Sequence, residues 1–336
     1  MRRISRLALA LTATVLLALG LAACGDDSSS ASSDPIVIGY SAWPGWFPLK
    51  VAEAQGFFTD AGVNVELKYF NDYTASIDAL AAGQVDANAQ TLNDTLAIAA
   101  TGSDVRIVVN TDFSAGNDAI IADRSITSVA DLKGKTVAAE AGVVDHFLLL
   151  QGLEANGMTE QDVDFRGTPT DAAAAGFAAG QFDAVGVFAP FTIEALKRPG
   201  SHVLFSSKDY PGSIPDHLVF SAAIVKDRPE DIQKIVDAWY TTVDFLSSNP
   251  DAARQIMADQ AGVSTEEYAT LDAGTQILSA DDALAAFADA DVPTSLPRTA
   301  AKINPFLVDS GLTKNEAPLE NLFDPSFTQA VVDGGS

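Results

Sequence analysis

The chain has 336 residues, 47% of them hydrophobic, which is enough for one large domain or two ordinary ones. A formal net charge of −25 repels nucleic acid and anionic lipid headgroups, so neither is an expected partner. With three His and a single Cys, at position 24, disulfides and metal–thiolate sites are excluded for the folded part, and no residue pattern calls for a metal or cofactor.

Arg2, Arg3 and Arg6 precede an apolar stretch over 7–21 that is short for a membrane span. It ends in Leu21-Ala22-Ala23-Cys24, which resembles the lipobox of a bacterial lipoprotein signal. On that basis 1–23 is a signal peptide, Cys24 takes a lipid that anchors the chain to the membrane, and 24–34 is a Ser- and Asp-rich tether. The folded part is expected to start near Pro35, on the extracytoplasmic face of the cell membrane.

Ile36-Val37-Ile38-Gly39-Tyr40 has the pattern of a buried strand, 48–55 has helical composition closed by Gly56, and Val63-Asn64-Val65-Glu66-Leu67 alternates as a strand. This β-α-β order implies parallel strands with a helical crossover. A helix over 74–82, a strand over 85–90, a helix from Asn93 and a strand over 105–110 complete a first open sheet. The segment 117–122 reads as a strand crossing into a second lobe. That lobe has strands over 135–139, 163–165 and 203–205, and a helix over 145–156. The return crossing is read at 218–225, and from Pro229 the pattern is mostly helical, packing back onto the first lobe. The expected division is 35–117 for the first part of lobe one, 118–222 for lobe two, and 223–336 for the return with its C-terminal helices.

One stretch occurs twice. Ala81-Ala82-Gly83-Gln84-Val85-Asp86-Ala87 returns 97 positions later as Ala178-Ala179-Gly180-Gln181-Phe182-Asp183-Ala184. Each copy reads as helix, Gly stop, strand, so two similar lobes are built from one unit. Asp86 and Asp183 lie remote from the carboxyl ends of those strands and are read as structural. In open parallel sheets ligands sit beyond the carboxyl ends. That rule selects the loops 41–47, 91–94, 111–118, 140–146, 188–191 and 212–217 around a cleft.

The lipobox, the tether and the run IGYSAWPGWFPLKVAEAQGFF, followed by SIDALAAGQVDANAQ, VADLKGKTVAAEAG and AAGQFDAVGVFAPF, resemble the nitrate/sulfonate/taurine family of ABC-transporter substrate-binding lipoproteins over about 36–245. The resemblance implies an α/β type II periplasmic-binding fold, with two lobes joined by two crossing strands and a ligand cleft between them. It also implies closure on a small-molecule ligand and delivery, by a monomer, to an ABC permease and its ATPase. Trp43-Pro44-Gly45-Trp46 and Gly116-Asn117-Asp118 further resemble a subgroup associated with urea-carboxylase-type nitrogen metabolism, including guanidine uptake.

The six loops contain Asp94, Asp112, Asp118, Glu140, Asp145 and Asp216 and neither Lys nor Arg. They also contain Trp43, Trp46, Phe113, Phe188 and Phe191. Carboxylates beside aromatic faces suit a small cation or a planar amide-like solute. A buried anion facing them costs several kcal/mol, although helix N-termini could still hold one, so taurine, an aliphatic sulfonate, nitrate or a thiamine pyrimidine precursor stands as the alternative. The candidate ligand-binding residues are Trp43, Trp46, Thr91, Asn93, Asp94, Asp118, Glu140, Asp145, His146, Phe188 and Asp216.

Each has a plainer reading. Trp43 and Trp46 could pack on Pro190; Asn93, Asp94 and Asp145 could cap helices; Asp118 could tie down the crossing; His146 could pack. An enzyme is the competing class, because the fold family includes proteins that make a thiamine pyrimidine precursor and Asp145-His146 can be drawn as a catalytic pair. No nucleophile elbow, metal spacing or phosphate loop accompanies that pair, so a catalytic role is not expected. A surface sensor on the same fold is the third class.

Overall fold

The computed structural model describes residues 34–334, so the signal sequence and Cys24 lie outside the described residues. In chain order the strands are β1 (Ile36–Tyr40), β2 (Val65–Tyr69), β3 (Ala87–Thr91), β4 (Val105–Ser114), β5 (Asp118–Ala122) and β6 (Thr136–Ala139). They continue as β7 (Asp164–Gly167), β8 (Ala184–Phe188), β9 (His202–Ser206), β10 (Pro215–Ser221) and β11 (Thr275–Ile277). They form two sheets, β11-β4-β10-β3-β1-β2 and β7-β6-β8-β5-β9. In the first sheet β1 runs parallel to β2 and β3, and β10 lies antiparallel between β3 and β4. The second sheet repeats the scheme, with β6 parallel to β7 and β8 and with β5 antiparallel between β8 and β9. Each sheet thus receives one reversed strand from a crossing.

Two expectations change here. The chain re-enters the first sheet before Pro215, so the return crossing is 207–214 and not 218–225, and the boundary expected at 222 moves forward. β10 is buried along nearly its whole length, with an apolar run over 218–220, a pattern that marks a central strand without saying of which sheet. β4 also runs four residues beyond the expected 105–110, because β10 and β11 pair with its polar end at Phe113 and Ser114. Asp112, expected in a loop, therefore sits in a fully buried strand.

The repeated heptapeptide has the same job twice. Helices Tyr73–Ala81 and Thr170–Ala178 both end at a left-handed glycine, Gly83 (φ 67°) and Gly180 (φ 80°). Asp86 Oδ2 then accepts from Val37 N (2.8 Å), and Asp183 Oδ2 accepts from Thr136 N (2.9 Å). Each carboxylate pins the start of the neighbouring parallel strand at the end of the sheet away from the cleft.

The crossings are tied to each other. Ser207 Oγ lies 2.7 Å from Ser114 Oγ and accepts from Gly116 N at 2.8 Å. Asn117 Nδ2 donates to Leu271 O (2.8 Å) and Thr275 Oγ1 (2.7 Å), anchoring the first crossing to the C-terminal region. Helix Pro229–Ser248 covers the first lobe, with Phe245 against Phe57 at 5.7 Å. Helix Leu296–Asp309 reaches the second lobe through Phe306 and Phe147, 5.4 Å apart. Among the described residues no helix is long and apolar enough to cross a membrane.

Candidate functional site

The carboxyl ends of β1, β3, β6 and β8 point at one cleft, and β4, β5 and β10 pass beside it. The turn after β1 supplies the aromatic wall. Trp43 and Trp46 stand 6.3 Å apart, Trp46 lies 5.2 Å from Tyr73, and Tyr73 meets Phe188 edge-on at 5.9 Å. All four are buried. The spacing Trp-Pro-Gly-Trp has a steric reason: a Cβ on Gly45 would lie 2.0 Å from Asp112 Oδ2. Trp43 Nε1 donates to Asp112 Oδ1 (2.9 Å) and Thr111 Oγ1 donates to Asp112 Oδ2 (2.9 Å), so this carboxyl is held from two sides.

Trp43, Trp46, Tyr73, Thr91, Asp118, Val144, Phe188 and Asp216 enclose an inner cavity of about 10 Å³, room for about one water molecule. Asp118 and Asp216, which line this floor, and Asp145, buried beside Val144, carry oxygens that make no hydrogen bond within the protein: Asp118 Oδ2, Asp145 Oδ1, and both oxygens of Asp216. Asp216 comes from the first lobe; Asp118 and Asp145 come from the second. Trp46 Nε1 makes no full hydrogen bond either, although its N–H partly offsets the perturbation of Asp216.

Burial lifts the carboxyls of Asp94, Asp112 and Asp118 to about 7. For Asp145 and Asp216 burial, reinforced by the neighbouring carboxylates, pushes them well above the ordinary range. Hydrogen-bond arithmetic agrees. Thr170 Oγ1 lies 2.8 Å from Glu140 Oε2 and 2.9 Å from Asp145 Oδ2, yet a hydroxyl carries one hydrogen. It donates to one carboxylate and must accept a proton held by the other. Thr91 Oγ1 poses the same problem, 2.7 Å from both Asn93 Oδ1 and Asp94 Oδ2. A protonated Asp94 resolves it.

Glu140 has a different place. Its Oε1 accepts from Thr74 N (3.1 Å) and from the Thr74 hydroxyl, and its Oε2 accepts from Thr170 N (3.2 Å) and the Thr170 hydroxyl. Thr74 opens the helix Tyr73–Ala81 of lobe one and Thr170 opens the helix Thr170–Ala178 of lobe two. Glu140 therefore bridges two helix N-termini across the cleft mouth, where each end favours a negative charge. It is a latch between lobes with both oxygens engaged.

Asn93 is also engaged, with Nδ2 donating to Asp94 Oδ1 at 2.8 Å, and it stays behind Asp94. His146 does not belong to the cluster. Its helical phase, about 100° from Asp145, turns it outward, where Nδ1 accepts from Gly142 N (3.2 Å), Nε2 pairs with Glu160, and the ring stacks on Phe165 at 4.2 Å. That arrangement dissolves the Asp145-His146 catalytic pair. Tyr73, Asp112, Val144 and Thr170 join the site beyond the expected set. Tyr73 and Thr170 are 97 positions apart, the offset of the repeat, and that offset was the available signal for both. A larger groove of about 540 Å³ lies along helix Leu296–Asp309, without these convergent carboxyls.

Two α/β lobes with a small polar cavity beside the crossing strands are the architecture of the solute-binding components of ABC-type importers. The chain belongs to the NMT1/THI5-like family, whose sequence model matches residues 43–253. A protein of Brucella abortus (strain 2308), with the provisional name of a binding protein, is 27% identical over 278 residues, 79% of this chain and 82% of its own. A Bacillus subtilis (strain 168) protein provisionally named for binding aliphatic sulfonates is 24% identical over 256 residues, 74% of this chain and 76% of its own. The alkanesulfonate-binding protein SsuA from Xanthomonas axonopodis pv. citri shares the fold at TM-score 0.74 and 18% identity, covering 88% of this chain and all of its own. The desulfurization enzyme DSZB also shares it, at TM-score 0.62 and 17% identity over 89% of this chain and 99% of its own.

Proposed function

We propose that this protein captures a small, compact cation of the guanidinium type, or a planar amide-like relative such as urea, and delivers it to its permease by lobe closure. The observation that carries this reading is the set of unpartnered, buried carboxyl oxygens on Asp118, Asp145 and Asp216, supplied by both lobes. Groups with several N–H donors in one plane satisfy such acceptors and lie flat against Trp43, Trp46 and Phe188. Contacts from both lobes form only when the lobes are together, so the ligand selects the closed state. Thr91, Asp94 and Asp112 position the floor, and Glu140 latches the mouth.

The names of the relatives favour a second reading, an aliphatic sulfonate or taurine, with nitrate as a smaller anion. Taurine would offer its ammonium to the same carboxyls. A cavity of about 10 Å³ holds about one water molecule, so each of these ligands needs the lobes to part, and cavity size does not choose between the readings. Because DSZB shares the fold, turnover is a separate question from fold. The role proposed here is binding without chemistry, since His146, the expected partner of Asp145, faces the other way.

A thermal-shift panel of guanidine, urea, small amidines, taurine, alkyl sulfonates, nitrate and pyrimidine precursors tests the reading. A ligand at 100 times its Kd stabilises by about 2.7 kcal/mol. A shift with guanidine or urea is expected, and a shift with sulfonates or nitrate alone overturns the proposal. Lipid attachment at Cys24, with the monomer tethered beside its permease, is proposed on the lipobox alone. Cys24→Ser should move the protein from the membrane to the soluble fraction.

A further inference from the structure

We propose that the site takes up its cation in exchange for a proton held among Asp118, Asp145 and Asp216. The inference rests on the cation reading above and adds a stoichiometry to it. Asp118 from β5 and Asp216 from β10 line the floor, and Asp94 from the helix after β3, Asp112 from β4 and Asp145 from the helix after β6 are buried around them. Glu140 faces it from the end of β6 and Tyr73 from the opposite helix, while His146 and His217 face away, onto Glu160 and Thr95. Among the described residues no Lys or Arg lines the cavity or its mouth.

So many ionised carboxylates cannot share one dry cleft; buried charges without partners neutralise instead. The contacts require resident protons independently of that cost. Thr170 Oγ1 cannot donate its single hydrogen to both Glu140 and Asp145, so one of the two carboxyls is an acid. Asp216 and Asp112 are cross-strand neighbours on β10 and β4, where two like charges are unfavourable, which favours a proton on one of them. The upward displacement of Asp118, Asp145 and Asp216 is consistent with this.

When a cation enters, an N–H of the ligand replaces the carboxyl O–H at the same oxygen and that proton leaves to solvent. One positive charge enters and one leaves. The exchange is electroneutral, so closing the lobes over the ligand buries no additional net charge. Above the pH at which the floor has already lost the proton, no exchange is needed and affinity levels off.

The test uses the purified protein and guanidinium chloride. Acid release is measured at pH 6.5 in weakly buffered salt, and Kd is measured from pH 5.5 to 8.5 in phosphate. Release of about one proton per bound guanidinium is expected, with Kd rising about tenfold per pH unit on the acid side and levelling once the floor has lost its proton. Binding without acid release, with a flat Kd, overturns the exchange and leaves the cation reading intact. Failure of guanidinium to bind at any pH, while methanesulfonate binds, overturns both. Asp112→Asn preserves the shape and the Trp43 contact but removes a like charge beside Asp216, so the midpoint of the pH profile should move to lower pH. An unmoved midpoint overturns the assignment to this cluster.

Discussion

The floor and the mouth of the cleft use the same residue type in opposite ways. At the mouth, Glu140 is buried and both of its oxygens accept from backbone and hydroxyl donors of two helices. At the floor, Asp216 is buried too, and neither of its oxygens has a partner. A carboxylate with saturated acceptors is part of the scaffold, and one with none is chemistry waiting for a donor. Burial alone does not distinguish the two roles. The hydrogen-bond inventory does.

The largest effect that could break this contrast is the pH dependence of stability without ligand. Floor carboxyls near 7 or higher bind more protons in the native state than in the unfolded chain, where they titrate near 4. Stability should therefore fall as pH rises from 6.5 to 8, by several kcal/mol in sum, on the order of 1.4 kcal/mol per displaced unit and group. His217, pushed down to about 3 by burial, opposes this trend below pH 6.5, which is why the window starts there. A melting temperature that is flat or rises with pH would show that the floor is paired after all.

Asp216→Asn sharpens the contrast next. It should weaken guanidinium binding by about 2–3 kcal/mol by calorimetry while leaving the unliganded protein as stable or more so. Unchanged affinity removes Asp216 from the site. Gly45→Ala should destabilise the fold by about 1–3 kcal/mol in urea, because the added methyl meets Asp112 with little room to yield. A change below about 0.3 kcal/mol would mean that Asp112 is free to move.

The smallest effect separates mouth from floor. Glu140→Gln keeps the shape but presents an amide N–H₂ to one of the two helix N-termini and removes the charge. It should cost about 1 kcal/mol in affinity, expressed as faster dissociation with unchanged association in stopped-flow. A loss as large as that of Asp216→Asn would place Glu140 against the ligand.

Periodicity and glycine stops made most of the scaffold legible in the sequence, including both copies of the repeat and the strand ends that aim at the cleft. The boundary near 222 was not legible, because β10 owes its sheet to partners more than 100 residues away, at Thr91 and Asp112. The acidic character of the site was visible in the loops, but the sorting of those acids was not. Glu140 and Asp145 look alike as strand end and helix start, and only the arrival of Thr74 and Thr170 distinguishes them. His146 was misplaced because adjacency in a helix puts neighbours on different faces, a phase that a pair of letters does not reveal.

Asp86 and Asp183 hold the far ends of their sheets, each through one hydrogen bond to the neighbouring parallel strand, β1 or β6. Framework and specificity therefore occupy opposite ends of the same short strands. Drift at Thr91, Phe188 or Asp216 can retune what the protein collects without loosening the clamps that let each lobe fold. A gene duplicated from such a unit inherits a stable chassis with a rewritable rim, which is a route by which one architecture could diversify its cargo.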